Sequence, residues 1–250
     1  FIPKQGKDDY SNVWSWRPIS LMPFLFKTLE RLVLWRLQET SLVNYTLHKH
    51  QFAFQTGKST EHALMQVVTE IERHLLNGQH AIAVALDIAG AFDNLDPSAV
   101  TESLKTRGTE HFLVEWIDKY LKSRHITVDL NGVKTTRSLV RGTPQGGVLS
   151  PLLWCLAFDE VLDLFPHPGP ILAVGFADDL ILICGGIDLG SIIGRLRPAL
   201  QRVDSWGKEN SLTFSPSKSV AVLFTNKCQE QAKTVHYNLR MGSGTVPWAT

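Results

Sequence analysis

Residues 171–184, ILAVGFADDLILIC, constrain the fold more than any other stretch: two apolar runs flank Asp178 and Asp179. Runs of this length and β-branched content read as buried strands, with the two aspartates at a tight turn between them. Adjacent carboxylates at a buried hairpin tip repel each other and resist desolvation unless a cation offsets both. Hard divalent ions such as Mg²⁺ take oxygen ligands of this kind. An ordinary polar turn is the competing reading, since Asp is common in turns. A second apolar run, Ala81 to Leu86, ends at Asp87. A third carboxylate at a strand end can complete a site for two metal ions. Its plainer alternative, a helix cap or strand-end turn, suits Asp93 and Asp96 better.

The other elements follow from periodicity. Apolar residues Leu25, Leu29, Leu32, Val33 and Leu37 recur at helical spacing over 24–43, with Lys27, Glu30, Arg31 and Arg36 between them. Helices are expected over 61–76 behind Ser59-Thr60, over 97–107 behind Asp96-Pro97, and from a Thr109 cap to Lys122. Asn131-Gly132 between alternating runs predicts a hairpin. Helices over 150–165 and 189–210 and short strands near 219–225 and 235–240 complete the series. Strands and helices in this order predict an α+β domain on an antiparallel sheet.

Between the acidic segments lies the loop Arg141-Gly142-Thr143-Pro144-Gln145-Gly146-Gly147-Val148-Leu149-Ser150-Pro151. Its glycines let backbone approach a ligand closely. A plain helix-entry loop would not need the amide of Gln145. Thr56-Gly57-Lys58-Ser59-Thr60 imitates the end of a phosphate-binding loop, but Phe52 stands where that motif requires glycine, which excludes the NTPase reading.

Charge adds one clue. The 250 residues carry 25 Lys/Arg and 24 Asp/Glu, a net +1 that by itself suggests no polyanion partner. Its distribution is uneven. Residues 1–60 hold eight basic against four acidic residues, and 195–250 hold eight against three. Residues 155–194 contain six acids and no Lys or Arg. Basic flanks around an acidic centre suit nucleic acid with a metal site, although chance clustering on a solvated surface explains charge alone as well. No apolar run reaches membrane-spanning length, so no membrane association is expected. Cys155, Cys184 and Cys228 form no CxxC pair and read as reduced thiols of an intracellular protein.

Taken together, Asp87 with Ala91-Phe92-Asp93, the Gly142–Pro151 run and Phe176-Ala177-Asp178-Asp179 resemble the central motifs of reverse transcriptases, in detail those of non-LTR retrotransposons of the jockey-like or related insect type. Ile2-Pro3-Lys4 and Arg17-Pro18-Ile19-Ser20-Leu21 resemble the family's first block, Gln51–Thr60 its second, and Leu212–Phe224 its fourth. The resemblance implies a polymerase right hand: fingers over about 1–80, and over about 81–250 a palm with a ferredoxin-like sheet and helices on one face. It implies RNA-directed DNA synthesis from dNTPs on a DNA primer and RNA template, with two Mg²⁺ ions, or Mn²⁺ in their place. Asp87 and Asp178 would hold the metals, helped by Asp179 and the carbonyl of Ile88. Phe92 would be the steric gate against a 2′-hydroxyl. Gln145 and Gly146 would line the nucleotide pocket, with Lys4 and Arg17 on the triphosphate and Lys218 assisting pyrophosphate departure. Gly147, Phe176 and Ala177 would contact template and primer; Phe176 stands where most relatives have Tyr. By resemblance the protein works in cytoplasm and nucleus.

The chain starts at Phe1 with no leader and stops before the family's primer grip and thumb. The expectation is a thumbless piece of a polyprotein that also carries an endonuclease, with little processive synthesis of its own. Two other readings stay open. One is an inactive remnant that only binds nucleic acid. The other is a viral RNA-dependent RNA polymerase, against which Ala177 and Phe92 count.

Overall fold

The computed structural model describes residues 1–6, 8–12, 15–130, 132–227 and 237–249. The polar, Pro- and Gly-containing opening forms a short ribbon, β1 (Ile2–Pro3) against β2 (Trp16–Arg17). Helices α1 (Phe24–Glu39), α2 (Ser41–Asn44) and α3 (Thr60–Leu76) precede the long strand β3 (His80–Ala89). After it come α4 (Ala91–Asn94), α5 (Pro97–Thr106), α6 (His111–Lys122) and the hairpin β4 (Arg124–Leu130) with β5 (Val133–Leu139). The chain continues through α7 (Ser150–Asp163), β6 (Ile171–Phe176), β7 (Asp179–Gly186) and α8 (Leu189–Glu209). It ends with β8 (Thr213–Phe214), β9 (Val220–Phe224) and the pair β10 (Leu239–Met241) and β11 (Gly244–Val246). No helix among the described residues is long and apolar enough to cross a membrane.

These elements cluster into two compact units that interleave along the chain: Phe1–Tyr45 with Phe92–Trp154, and Thr46–Ala91 with Cys155–Thr250. The second is built on an antiparallel sheet with β3 at its centre. β7 pairs with one edge of β3 and β6 with β7, while β9 and β8 share the other edge of β3. Side chains alternate across a sheet, so Ala81 and Ala83 of β3 join Leu172, Val174 and Ile183 in an apolar cluster that Ala63 and Ile71 of α3 cover. The opposite face takes α7 and α8. A Cβ on Gly175 would meet Phe158 and Leu162 of α7, and one on Gly186 would meet Ile192 of α8. Those two helices occupy the face that the ferredoxin-like pattern assigns to helices, and α3 covers part of the other. Beyond α3 the covering stops: Ala85, Asp87 and Ala89 are only partly buried while Leu86 and Ile88 stay buried. The uncovered end of the sheet is thus where Asp87 emerges.

In the first unit α5 packs against α6 and β4 pairs with β5, a strand exposed along nearly its whole length. Gly132 in the β4–β5 turn has φ +85°, and its N–H donates to Asp129 at 3.0 Å. Asn131, the other half of the expected turn, lies outside the described residues, as do Cys228 and residues 235 and 236 of the expected last strand. Cys155 and Cys184 are buried free thiols, and burial pushes the Cys155 thiol up to about 12.

Several expectations need correction. β3 runs three residues past Leu86, because Ile88 and Ala89 find partners in Phe214 and Thr213 of the unforeseen β8. Helix α6 begins after Glu110, with no side-chain cap, where Thr109 was the expected cap. The helix expected over 24–43 breaks at Thr40, which leaves helical geometry at φ −117°. Its inward face also differs. Glu30, Val33 and Leu37 are buried, whereas Leu25 is 81% exposed and Leu32 53%. Positions 30, 33 and 37 share a helical stripe too, and the polar partner that Glu30 finds inside decides which stripe turns inward. The caps Ser59 and Asp96 are as expected: each side chain accepts an N–H of its helix's first turn.

The α3 face yields a stability prediction. A Cβ on Gly185 would lie 2.1 Å from the buried His74 ring, which hydrogen-bonds to Gln79. Gly185→Ala is therefore expected to cost about 2 kcal/mol or more through overpacking, read as a lower urea midpoint with an unchanged m-value.

Candidate active site

The acidic centre is built by strand register in the second unit. β3 and β7 pair with Asp87 opposite Asp179, at the end of a run that starts with His80 opposite Gly186. β6 and β7 close a two-residue turn, with Phe176 opposite Asp179. The turn residues are Ala177, at φ +53°, and Asp178. So Asp178 occupies the turn and Asp179 opens the next strand, a finer division than two carboxylates in one turn. Phe176 packs with the α3-side cluster. Ile88 lies opposite Phe214 with its side chain buried.

The segment between β8 and β9 wraps Asp87. The Asp87 N–H donates to Ser219 Oγ at 3.2 Å, and the Ser215 N–H donates to the Asp87 carbonyl at 2.8 Å. Lys218 Nζ stands 3.4 Å from Asp87 Oδ1. Neither serine was foreseen; small hydroxyl residues flanking a lysine give no signal of which strand end they will hold. Burial, with the Asp178 and Asp87 carboxylates beside it, raises Asp179 above the usual carboxylate range. The carboxylates crowd negative charge that Lys218, facing Asp87, offsets only in part.

That donor set fits a divalent ion in its chemistry, being hard carboxylate oxygen in an electrostatically frustrated cluster. Among the described residues no group of three or more His, Cys, Asp or Glu is arranged to hold a metal alone. A bound ion would accordingly draw further ligands from water or from phosphate oxygens, as Mg²⁺ commonly does.

The first unit carries the remaining candidates. Lys4 and Arg17 sit on the β1–β2 ribbon, Arg17 opposite Ile2 and the Lys4 N–H donating to Ser15 at 2.8 Å. Phe92, half-buried in α4, lies against Trp154 with ring centroids 5.6 Å apart. The Gly142–Ser150 loop is tied down along its length. Gly142 N–H donates to Leu95 at 2.7 Å and Thr143 N–H to Phe92 at 2.8 Å. Gly142 has φ +80°, and a Cβ there would meet the Asp93 carbonyl at 2.6 Å, so only glycine fits. The Gln145 side-chain amide donates to Asp93 Oδ1 at 2.9 Å, while the Gln145 backbone carbonyl accepts from the Ser20 N–H at 2.8 Å. Gly146, at φ +103°, passes close to the Ser20 carbonyl. Beside the loop opens a cleft of about 320 Å³ lined by Phe1, Ser20, Asp93, Arg124, Thr143 and Gln145. Arg124 donates to the Arg141 carbonyl at 2.8 Å. Arg124 carries no sequence signal, and Asp93 enters the sequence only as a cap candidate and a member of the Ala91-Phe92-Asp93 run; an acid on a short helix shows its amide partner only in three dimensions.

A raised Asp179 has a definite sign. Its contribution to stability is present in acid, below the ordinary 3.8, and is lost as pH rises through the raised value. Asp179→Asn is thus expected to raise the melting temperature at pH 7 in EDTA, and the gain should vanish near pH 3. Its solvent-exposed side limits the gain to under about 1 kcal/mol, or roughly 2–4 °C. Adding Mg²⁺ should lift the wild-type melting temperature more than the variant's.

Comparisons with known proteins show the family and the fold. Residues 2–238 match the family model described as reverse transcriptase (RNA-dependent DNA polymerase). The chain is 28% identical over 232 residues to the RNA-directed DNA polymerase from mobile element jockey of Drosophila melanogaster, covering 90% of this chain and 25% of that protein. It is 30% identical over 213 residues to the Pol polyprotein from the type-1 retrotransposable element R1 of Bradysia coprophila, covering 85% and 21%. The chain therefore spans about a quarter of the length of these relatives. Among solved structures, apo telomerase from Candida tropicalis truncated from its C-terminal domain matches with a TM-score of 0.58 at 14% identity, over 81% of this chain and 40% of that one. That likeness shows a shared right-hand polymerase fold. With the family model matching almost end to end, the chain belongs to the reverse transcriptase (RNA-dependent DNA polymerase) family.

Proposed function

We propose that this chain is the polymerase core of a non-LTR retrotransposon, adding dNTPs to a DNA primer along an RNA template. The observation that carries the reading is the register that sets Asp87 opposite Asp179, with Asp178 in the adjoining turn. A tightly pinned strand end bearing carboxylates is what in-line nucleotidyl transfer needs, since little covalent chemistry falls to the protein and positioning does the rest. Asp87 and Asp178 are the proposed holders of Mg²⁺, with Asp179 and the Ile88 carbonyl in support. When bound, the ions would lower the pKa of the primer 3′-hydroxyl and stabilise charge on the leaving pyrophosphate.

The protein's own groups do the remainder in this reading. Asp87 is held by Ser215 and Ser219 on its backbone and faces Lys218 with its carboxylate. Lys218 tempers the negative field there and, once a triphosphate draws it off, is placed to neutralise departing pyrophosphate. Lys4 and Arg17 meet the triphosphate as point charge and as fork. Phe92 presents a ring to the sugar and rejects a 2′-hydroxyl by bulk. Gln145, its amide turned by Asp93, and Gly146 form the nucleotide pocket. Gly147, Phe176 and Ala177 lie toward template and primer. The basic flanks support salt-sensitive, sequence-independent contact with phosphates.

Single-nucleotide addition to a primed RNA, with Mg²⁺, tests the reading on this chain. Asp178→Asn is expected to lower the rate on the order of 10³-fold, the scale of losing several kcal/mol of transition-state stabilisation. Addition that survives the substitution would sink the carboxylate assignment. Phe92→Val should bring ribonucleotide incorporation up toward that of deoxynucleotides, while sugar selection unchanged in that variant removes the gate.

A further inference from the structure

We infer that Glu30 is a positioning residue for the nucleotide, acting through the Gly142–Ser150 loop; this rests on the reading of Gln145 and Gly146 as pocket residues. Glu30 lies in mid-helix on α1 and is fully buried. Glutamate is almost never fully buried without a partner, and among the described residues no cation pairs with it. Its two oxygens instead accept one hydrogen bond each. Oε1 accepts from the Tyr120 hydroxyl, and Oε2 accepts from the Val148 N–H at 3.0 Å. A buried carboxyl satisfied by neutral donors is a poor route to stability beside an apolar residue of similar size. What it supplies here is a fixed place for a backbone amide of the loop.

The surroundings leave that amide no alternative. Tyr120 is stacked against Phe26 and Trp116, with centroids 5.9 and 5.4 Å away and interplanar angles of 20° and 10°, so its hydroxyl oxygen is held in place while the O–H bond can turn. Ser150 Oγ donates to the Pro144 carbonyl at 2.7 Å and accepts from Thr143 Oγ1 at 2.7 Å. Those bonds fold the loop back on itself. Gly147 sits where these groups converge. A Cβ there would lie 2.8 Å from Ser150 Oγ, 2.9 Å from Glu30 Oε1 and 3.1 Å from the Tyr120 hydroxyl oxygen. This gives Gly147 a role inside the anchor in addition to the one proposed toward template and primer. The loop is thus pinned at Val148 by Glu30 and at Gln145 by Ser20 and Asp93, with Gly146 and Gly147 between the pins. Releasing Val148 would free Gly146 and let the Gln145 carbonyl and amide drift from the cleft.

The test uses the wild-type chain with Glu30→Gln, Glu30→Leu, Tyr120→Phe and Gln145→Ala. Two readouts are needed: amide hydrogen exchange at residues 145–148, and the KM and kcat of single-nucleotide addition. Glu30→Gln should behave like wild type within about twofold, because its amide oxygen can face Val148 while the Tyr120 hydroxyl turns to accept. Glu30→Leu should speed exchange at Val148 at least about tenfold and raise KM for the dNTP by a similar factor, with kcat changed far less. Tyr120→Phe, which keeps the Val148 bond but loosens the carboxyl, should fall between and serves if Glu30→Leu does not fold. The KM effect of Glu30→Leu should be largely absent when Gln145 is already alanine, as expected of a residue acting through another. Unchanged exchange in a folded Glu30→Leu or Tyr120→Phe chain overturns the anchor. Faster exchange with unchanged dNTP KM, or with no addition by any chain, upholds the anchor and overturns the nucleotide reading of the loop.

Discussion

The pairing of β3 with β7 is the constraint on which the second unit depends. Like charges directly opposite each other on neighbouring strands are destabilising, and this register sets Asp87 against Asp179. The rungs behind them are apolar or small, from Leu86 opposite Leu180 back to His80 opposite Gly186, and they are buried on both faces for most of that length. A slip of one residue would turn Asp87 toward the packed α7 and α8 side and expose the alanines' neighbours. The apolar ladder therefore holds the acids in register against their own repulsion. Their cost is confined to the end of the sheet where β3 is only partly buried.

Charge and structure divide the work in two ways. The acidic stretch from 155 to 194 contains no Lys or Arg, so the turn at Asp178 finds no lysine or arginine in its own segment. Relief comes from the C-terminal basic region, where Lys218 follows β8 and returns to Asp87. In the first unit the work is done by hydrogen bonds to one loop instead, three of them made by ionisable side chains. Asp93, Ser20, Glu30 and Arg124 each take hold of a different backbone or amide group of one glycine-rich loop. The net charge of +1 conceals both arrangements.

Much of this was legible in advance, and the exceptions share a cause. Apolar strand runs and the helix caps at Ser59 and Asp96 are local signals that the structure carries, and of the double aspartate Asp178 keeps the turn while Asp179 opens β7. The full length of β3 was not legible, because its last rungs depend on Thr213 and Phe214, more than a hundred residues away. The orientation of α1 was not either. Its leucines promised an inward stripe, yet Glu30 is buried and Leu25 is not. A glutamate among lysines and arginines on a helix looks like a solvated residue until its acceptor role toward Tyr120 and Val148 is seen. The same holds for Asp93 and Arg124, whose partners are carbonyls and amides with no sequence signature of their own.

Ala177 holds a left-handed backbone angle, φ +53°, immediately before Asp178. A residue with a Cβ incurs a penalty of about 1 kcal/mol or more in that conformation, which glycine would avoid. Glycine would also enlarge the range of angles open to the unfolded and the folded turn alike. The methyl group therefore acts as a stiffener: it trades a little stability for a narrower arc through which the next carboxylate can swing. Larger or β-branched side chains would sharpen the penalty. Glycine there loosens the turn and a β-branched residue strains it, so the methyl group sits between those two costs.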